Sequence, residues 1–474
     1  MSARKVKRPE AKGDKDGKSK KRKKPYWLEV TECIAIAVGL AIFIRTVILE
    51  AFKIPTKSME PTLIGDESYG DRIIAAKWAY RSFFGLKDDR PSRWEVAVFL
   101  FDHDRAKKNY IKRCIGLPGE QIAVYRGNIY VNGNLERKPD RVQRGLWHTL
   151  YDDDLNSYTG PGKSHARTGE PLPWKLRPGW SLQDGALGVD ARSAGAPQRA
   201  SEIVYDGPLL NIYVPPRPYE LVCPEDGGGC GHKFVRALST VRNRVRCPGC
   251  GKLYTNAASD LVADSRGEKS IYGIGQERPV GDLRVSFDLT FEKPGGTVFA
   301  RIAKDSRVFT LKLPLGEGDA EIAGDASVEE RAPVKLSPHR QHRIAFAHYD
   351  QRLVAWLDGR EILSKDYEVP GESWPETTLD RISSRVSLGA EGASARLDSL
   401  RIERDVYYLP TIDPPLNGVI AARVENLGPG EFWMMGDNSP ASRDSRAWGR
   451  LEESKLIGKA LFIWWPPDRI GWVR

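Results

Sequence analysis

The chain has 474 residues, of which 40% are hydrophobic and 29% charged, so it can form folded domains and is not wholly disordered. Its net charge of +10 would suit a nucleic-acid-binding protein, but residues 1–24 alone carry +9 and the remaining 450 residues carry +1. The neutral body argues against a nucleic-acid partner. At roughly 150 residues per domain, the length allows about three domains.

An apolar segment directly follows the basic tail of residues 1–25. Residues 26–49 approach the roughly 20 apolar residues that a bilayer requires, and Tyr26 and Trp27 suit a membrane interface. The preceding cations predict a cytoplasmic N-terminus. We therefore predict an uncleaved transmembrane helix in the cytoplasmic membrane, with residues 50–474 on the extracytoplasmic face. A buried core helix is the alternative.

Three short motifs lie beyond this segment. Residues 52–63 read FKIPTKSMEPTL, residues 110–120 read YIKRCIGLPGE, and residues 436–446 read GDNSPASRDSR. In this order they resemble the motifs of bacterial signal peptidase I, the membrane-bound serine protease that removes signal peptides from exported proteins. The resemblance covers residues 26–140 and 410–474. It departs at Trp94-Glu95, where the family usually has a Gly-Asp pair.

A serine hydroxyl needs a nearby base before it becomes a good nucleophile. None of the seven histidines lies inside the three motifs, whereas a buried lysine with a lowered pKa could serve as the base. The resemblance implies Ser58 as the nucleophile and Lys112 as the general base. An ordinary turn serine and a solvated strand lysine are the alternatives.

The resemblance assigns further roles around this Ser-Lys dyad. It implies an oxyanion hole made of the Ser58 N–H and the Thr56 hydroxyl. It assigns support of the dyad to residues of the third motif, which are Gly436, Asp437, Asn438, Ser442, Asp444 and Arg446. A polar loop held by its own side chains is the alternative for this motif. Met59 would line the small substrate pocket or fill the core. The implied substrates are secretory precursors with small residues at positions −1 and −3, and catalysis needs no cofactor.

Four cysteines form a separate pattern within residues 219–256. Their spacing is C-x6-C followed by C-x2-C, and they are Cys223, Cys230, Cys247 and Cys250. Two glycine-rich turns of this kind resemble a zinc ribbon with a structural metal site. Two disulfides are the alternative in an oxidising compartment, and His232 is an alternative ligand.

Residues 257–405 alternate apolar and polar side chains in short runs separated by turn residues. The runs are 283–291, 298–302, 308–313, 342–348, 352–357, 386–389 and 395–402. This alternation predicts an antiparallel β-sandwich, to which residues 180–213 would add the first strands. The pattern resembles a concanavalin- or laminin-G-like domain. A scaffold and a sugar- or protein-binding module are equally open.

Together these patterns predict a mainly β protein. It would contain the N-terminal helix, a signal-peptidase-type catalytic domain formed by residues 50–144 and 406–474, and an insertion at 145–405 that carries the sandwich and the zinc-ribbon-like element. The predicted function is signal-peptide cleavage by a membrane-anchored serine endopeptidase. The alternatives are a catalytically silent surface protein that displays the sandwich, and a protease whose insertion selects specialised precursors.

Overall fold

The computed structural model describes the following residues: 25–43, 48–65, 70–80, 90–103, 106–152, 158–159, 164–165, 172–183, 186–192, 200–207, 209–211, 219–223, 229–236, 245–247, 249–254, 278–324, 329–368, 378–379, 382–411, 419–420 and 423–474. The basic tail of residues 1–24 lies outside them. The chain divides into two compact units, Met1–Glu50 and Ala51–Arg474.

The first unit contains helix α1, Tyr26–Phe43, an 18-residue helix with most of its apolar side chains exposed. Within the described stretches, no helix is both long enough and apolar enough to cross a membrane. The predicted span of 26–49 is wrong at its end, because Leu49 already belongs to a strand.

The first segment of the predicted catalytic domain, called the catalytic domain below, supplies short strands and one helical turn. In chain order these are β1 Leu49–Lys53, β2 Arg72–Ala76, β3 Val96–His103, β4 Ala106–Gly116, β5 Gln121–Tyr125, β6 Asn128–Val131, β7 Asn134–Leu135 and α2 Asp140–Gln143.

The insertion begins with strands β8 His148–Asp152, β9 Tyr158–Thr159, β10 Ser164–His165, β11 Trp174–Lys175, β12 Trp180–Gln183, β13 Ala186–Asp190 and β14 Ser201–Tyr205. Two hairpins follow, made of β15 Tyr219–Val222, β16 Lys233–Arg236, β17 Val245–Arg246 and β18 Leu253–Tyr254. The remaining strands of the insertion are β19 Leu283–Thr290, β20 Thr297–Lys304, β21 Arg307–Pro314, β22 Glu317–Ala323, β23 Glu329–Lys335, β24 His342–Tyr349, β25 Arg352–Leu357, β26 Arg360–Asp366, β27 Thr378–Leu379, β28 Ser384–Glu391 and β29 Ser394–Arg404.

The C-terminal segment returns to the catalytic domain. Its elements are β30 Val419–Ile420, β31 Arg423–Asn426, β32 Glu431–Met435, α3 Ser445–Trp448, β33 Leu451–Glu452, β34 Leu456–Trp465 and β35 Gly471–Trp472.

Strands from both segments build the catalytic domain. Its larger sheet has the order β1-β2-β34-β3-β4-β32-β33, with β35 paired to β34, and its smaller sheet has the order β31-β5-β6-β7. A shared core joins the two segments, because Ile115 and Ile122 pack with Trp433 and Met435. The two segments therefore share one core, although the predicted insertion separates them in sequence.

Two sheets of the insertion face each other across one hydrophobic core. One has the order β11-β14-β28-β20-β21-β22-β23, and the other has the order β12-β13-β29-β19-β24-β25-β26, with β8 paired to β29. Alternate residues of each strand point inward, as Leu283, Val285 and Phe287 do on β19. This arrangement is an antiparallel β-sandwich.

The described residues are mainly β, as predicted, and each of the predicted runs from 283 to 402 overlaps a strand. The sequence analysis missed β22, β23 and β26, which read EGDAEIA, EERAPVK and REILSKD. Strands β23 and β26 each lie at one end of the strand order of their sheet, where charged side chains face solvent and weaken the apolar alternation. Whether the sandwich is laminin-G-like stays a prediction.

Candidate active site

The nucleophile candidate lies in the turn after β1. Ser58 is in the middle of a 3-10 turn, Lys57–Met59, which follows Thr56 in extended conformation. Asn438, near the other end of the chain, holds this turn in place. Its backbone N–H donates to the Ser58 carbonyl at 3.1 Å, and its side-chain NH2 group donates to the Lys57 carbonyl at 3.1 Å. The first and third motifs therefore meet around Ser58.

Strand β4 brings the base candidate to the same place. Lys112 is buried, and its Nζ lies 2.7 Å from Ser58 Oγ and 2.9 Å from the Ile111 carbonyl oxygen. Burial lowers the pKa of Lys112 to about 8, although the carboxylates of Asp444 and Asp437 oppose this shift. A substantial fraction of the amine is therefore neutral near physiological pH.

A second hydroxyl lies beside the Ser58 hydroxyl. Thr56 Oγ1 is 3.4 Å from Ser58 Oγ, and its side chain is exposed to the cleft described below. A hydroxyl in this position can donate to negative charge that develops on a carbonyl oxygen attacked by Ser58.

Two buried ion pairs flank the dyad. Arg113 donates to Asp437 through Nε and Nη2, each at 2.7 Å, and Arg446 donates to Asp444 through Nε at 2.7 Å and Nη2 at 2.8 Å. All four side chains are fully buried. Arg446 holds the pKa of Asp444 below its usual range, even though burial raises it.

Gly436 and Ser442 pack against the backbone of the turn that carries Ser58. A Cβ atom added at Gly436 would lie 2.2 Å from Ser442 Oγ and 2.4 Å from the Ser58 carbonyl oxygen, so only glycine fits here. Ser442 is buried in the same place.

The sequence is also similar to that of known proteins. The family model described as signal peptidase, peptidase S26 matches residues 27–156 and 412–465. The chain is 40% identical over 159 residues to a probable signal peptidase I-2 of Synechocystis, covering 30% of this chain and 68% of that protein. The chain belongs to the signal peptidase I family. This membership makes it a hydrolase of the peptidase class.

Other matches are shorter or weaker. The chain is 32% identical to the signal peptidase I of Rickettsia bellii over 24% of this chain and 41% of that protein, so it spans under half of that relative. The match to the solved structure of galectin LEC-6 of Caenorhabditis elegans covers 26% of this chain and 82% of the galectin chain, at 9% identity and a TM-score of 0.19. A score this low supports no conclusion about the sandwich.

The sequence analysis missed Arg113 and Thr62, which join the three motifs through hydrogen bonds. Arg113 also donates to the Trp94 carbonyl at 2.6 Å and to Thr62 Oγ1 at 3.0 Å, and the Thr62 hydroxyl donates to Asp437 at 2.5 Å. The available signal was the strand alternation, which places Arg113 on the face opposite Lys112, where a charge needs a buried partner.

Trp94 explains the departure from the family's Gly-Asp pair. Its φ of 70° lies in the left-handed region that glycine favours. The strain is offset by packing and hydrogen bonding, because the Trp94 side chain is buried in the catalytic core and its backbone N–H donates to the Cys114 carbonyl at 2.7 Å. The turn therefore keeps the conformation that a glycine would adopt.

The sequence analysis also missed Glu60 and Gly65, which pack against the turn that carries Ser58. Burial raises the pKa of Glu60 to about 8, and Glu60 Oε1 accepts a hydrogen bond from the Gly65 N–H at 3.1 Å. A Cβ at Gly65 would lie 1.8 Å from the Thr56 carbonyl oxygen, so glycine is required there as well.

A cleft of about 470 Å³ opens beside the dyad. It is lined by residues of β1 and the following turn and by β4, together with Val98, Ala441 and Arg443. Met59 is not among the lining residues, because it has no exposed surface and packs with Ile54 and Leu63. Its predicted place in the substrate pocket is therefore corrected to a place in the core.

The four cysteine sulfurs of the insertion also come together. Those of Cys223, Cys230, Cys247 and Cys250 all lie within 4.8 Å of one another. They belong to the hairpins β15–β16 and β17–β18 of the insertion and are separate in sequence from the peptidase motifs.

Proposed function

We propose that this chain is a membrane-associated serine endopeptidase that cleaves N-terminal signal peptides from exported precursor proteins. The observation that carries the proposal is the 2.7 Å contact between the buried Lys112 amine and the Ser58 hydroxyl beside an open cleft. No resident metal or cofactor takes part in the proposed reaction.

The proposed reaction starts from neutral Lys112. Its amine takes the proton of Ser58 Oγ, which attacks the scissile carbonyl carbon and forms a tetrahedral intermediate. The Ser58 N–H and the Thr56 hydroxyl donate to the new oxyanion. Lys112 then returns the proton to the leaving amine, and water hydrolyses the acyl-serine by the same sequence of transfers.

The edge of β4 gives the substrate a place to bind. Among the described strands, β32 pairs with β4 only from Arg113 to Gly116, whereas residues 108–112 line the cleft. An extended precursor can therefore lie along this edge, with its scissile bond near Ser58. Ile54, Val98 and Ile111 make part of the wall apolar, which supports a preference for small uncharged residues at positions −1 and −3.

Exposed apolar side chains support membrane association. Helix α1 exposes Trp27 and Ile36, and the end of the catalytic domain exposes Trp465, Ile470 and Trp472. Tryptophan rings favour the headgroup region of a bilayer. We propose that the N-terminus lies on the cytoplasmic side and that the catalytic domain acts on the extracytoplasmic face, where precursors emerge.

The test compares cleavage of a preprotein by the parent and by Ser58→Ala and Lys112→Ala. Each variant should lose at least about 10⁴-fold in kcat/KM, because the nucleophile and its base act as one unit. Ser454→Ala and Lys107→Ala are matched controls, since both positions are exposed and outside the cleft. These controls should cleave like the parent.

Two outcomes would count against the proposal. If Ser58→Ala or Lys112→Ala cleaves like the parent, that residue is not part of the catalytic machinery and the proposed dyad is wrong. A folded parent that cleaves no preprotein would instead favour the catalytically silent surface protein.

A further inference from the structure

The hairpins β15–β16 and β17–β18 share no backbone ladder with each other or with another described strand. An isolated hairpin is only marginally stable in water. A second interaction must therefore hold the pair, and the cysteines lie where the two hairpins meet.

Each hairpin ends in the same hydrogen-bonded turn. In the first, the Cys223 N–H donates to the His232 carbonyl and the Gly231 N–H donates to the Cys223 carbonyl, both at 2.9 Å. In the second, the Cys247 N–H donates to the Lys252 carbonyl and the Gly251 N–H donates to the Cys247 carbonyl, again both at 2.9 Å.

Backbone N–H groups also point at the sulfurs in both turns. The Cys230 N–H donates to Cys223 Sγ at 3.3 Å, and the Gly249 N–H donates to Cys247 Sγ at 3.3 Å. Donors in this position stabilise a thiolate. The two turns therefore have the same hydrogen-bond pattern, although their cysteine spacings, C-x6-C and C-x2-C, differ.

The distances between sulfurs distinguish a metal from a disulfide. Cys223 Sγ lies 3.7 Å from Cys250 Sγ, and Cys230 Sγ lies 3.7 Å from Cys247 Sγ, so each close pair joins one hairpin to the other. A disulfide requires about 2.05 Å. Four sulfurs at about 2.3 Å from a central zinc ion lie about 3.8 Å apart.

We propose that Cys223, Cys230, Cys247 and Cys250 bind one structural Zn²⁺ that cross-links the two hairpins. Four thiolates fill the tetrahedron and leave no position for a substrate, so the ion holds structure and does not take part in peptide cleavage. His232 belongs to the first turn through its carbonyl and lies outside the cluster of sulfurs. Each thiol releases its proton when the metal binds.

The test uses the full chain purified in detergent without chelators, with its zinc content measured by elemental analysis. We expect one zinc per chain in the parent and none in Cys247→Ser. Cys33→Ser is the matched control, because Cys33 lies on α1 outside the cluster and should leave the zinc content unchanged. Stripping the parent and adding Co²⁺ should give the strong charge-transfer absorption of tetrahedral thiolate coordination, even if the variant fails to fold.

Alkylation and mass spectrometry of the same preparation show whether the four cysteines are free thiols or disulfides. Unfolding with chelator and without reductant should expose six alkylatable thiols. A parent without zinc overturns the proposal, whether its four cysteines are free or become alkylatable only after reduction. Preprotein cleavage is measured separately, so a chain that holds zinc without cleaving would overturn only the proposed peptidase activity.

Discussion

Lys112 is surrounded by charges that partly cancel. Asp444 and Asp437 favour its protonated form, whereas Arg446 disfavours it, and burial is the largest influence on its pKa. Each carboxylate is tied to its own arginine at short distance. The two ion pairs therefore keep negative charge close to the lysine without letting it stabilise the ammonium form fully.

The first prediction concerns the pH dependence of cleavage. In the proposed mechanism the neutral amine of Lys112 is the active base, and since burial lowers the pKa of Lys112 to about 8, activity should rise with pH. About one tenth of the amine is neutral one unit below its pKa and about nine tenths one unit above. A kcat/KM profile on a short precursor peptide should therefore rise about tenfold between pH 7 and pH 9 and then level off.

Glu60 is the necessary control for this profile, since burial raises its pKa to about 8 as well. The Glu60→Gln variant keeps an oxygen that can accept from the Gly65 N–H and no longer titrates. Its profile should keep the same rise. A flat profile in this variant would assign the titration to Glu60 and contradict the role of Lys112.

At the scale of elements, β4 performs two tasks through adjacent residues. Lys112 pairs in register with Ala97 and Arg113 with Val96, and their side chains leave opposite faces of the strand. A shift of one residue in this register would exchange the base with the buried arginine. The pairing of Arg113 with Asp437 of the third motif helps to fix the register, because it attaches β4 to the loop after β32.

The second prediction follows from that attachment. Asp437→Asn should lower the free energy of unfolding by about 3–5 kcal/mol, because it leaves Arg113 charged, buried and without its anionic partner. Glu453→Gln is the matched control, since the ion pair of Glu453 with Arg90 is exposed and should contribute less than about 1 kcal/mol. Denaturant unfolding measures both, and equal small losses would contradict the structural role of the buried pair.

The residues that sequence could predict lie in short contiguous motifs. The proximity of Ser58 and Lys112 could be predicted because each motif carries its own pattern, and their side chains do lie in contact. The strand alternation indicates a buried partner for Arg113, but it could not identify that partner, because Asp437 lies 324 positions away in the sequence. The sequence also left open whether Met59 lines the pocket or fills the core, since proximity to Ser58 in sequence does not determine the direction of its side chain.

At the scale of the whole molecule, a buried charge cluster joins the predicted catalytic domain to the predicted insertion. Lys138 follows β7, and its Nζ lies 2.6 Å from Asp350 at the end of β24 and 2.8 Å from Asp405 just after β29. Gln143 also donates to Asp405 at 2.8 Å. The carboxylates raise the pKa of Lys138 despite its burial, whereas burial raises the pKa of Asp405 to about 6.

The third prediction tests this cluster. Lys138→Met should lower the free energy of unfolding by about 3–5 kcal/mol at pH 8, because it leaves two buried carboxylates without their cation. The loss should shrink as the pH falls through the pKa of Asp405, since a protonated carboxyl needs no counter-charge.

Lys335→Met is the matched control, because its ion pair with Glu317 is exposed and should contribute less than about 1 kcal/mol. Thermal unfolding at pH 5 and pH 8 provides the measurement. A Lys138→Met variant as stable as the parent at pH 8 would show that the cluster does not hold the two parts together.

The pairing of β8 with β29 has a consequence for the history of the chain. His148 and Arg404 are register partners, so the insertion leaves the catalytic domain and returns to it at neighbouring points. Closing such a gap with a short linker costs little, because loop-closure entropy grows only slowly with length. Because the two ends of the insertion lie side by side, a single recombination event at this junction would suffice to add or remove the whole sandwich, and it would leave the three active-site motifs unchanged.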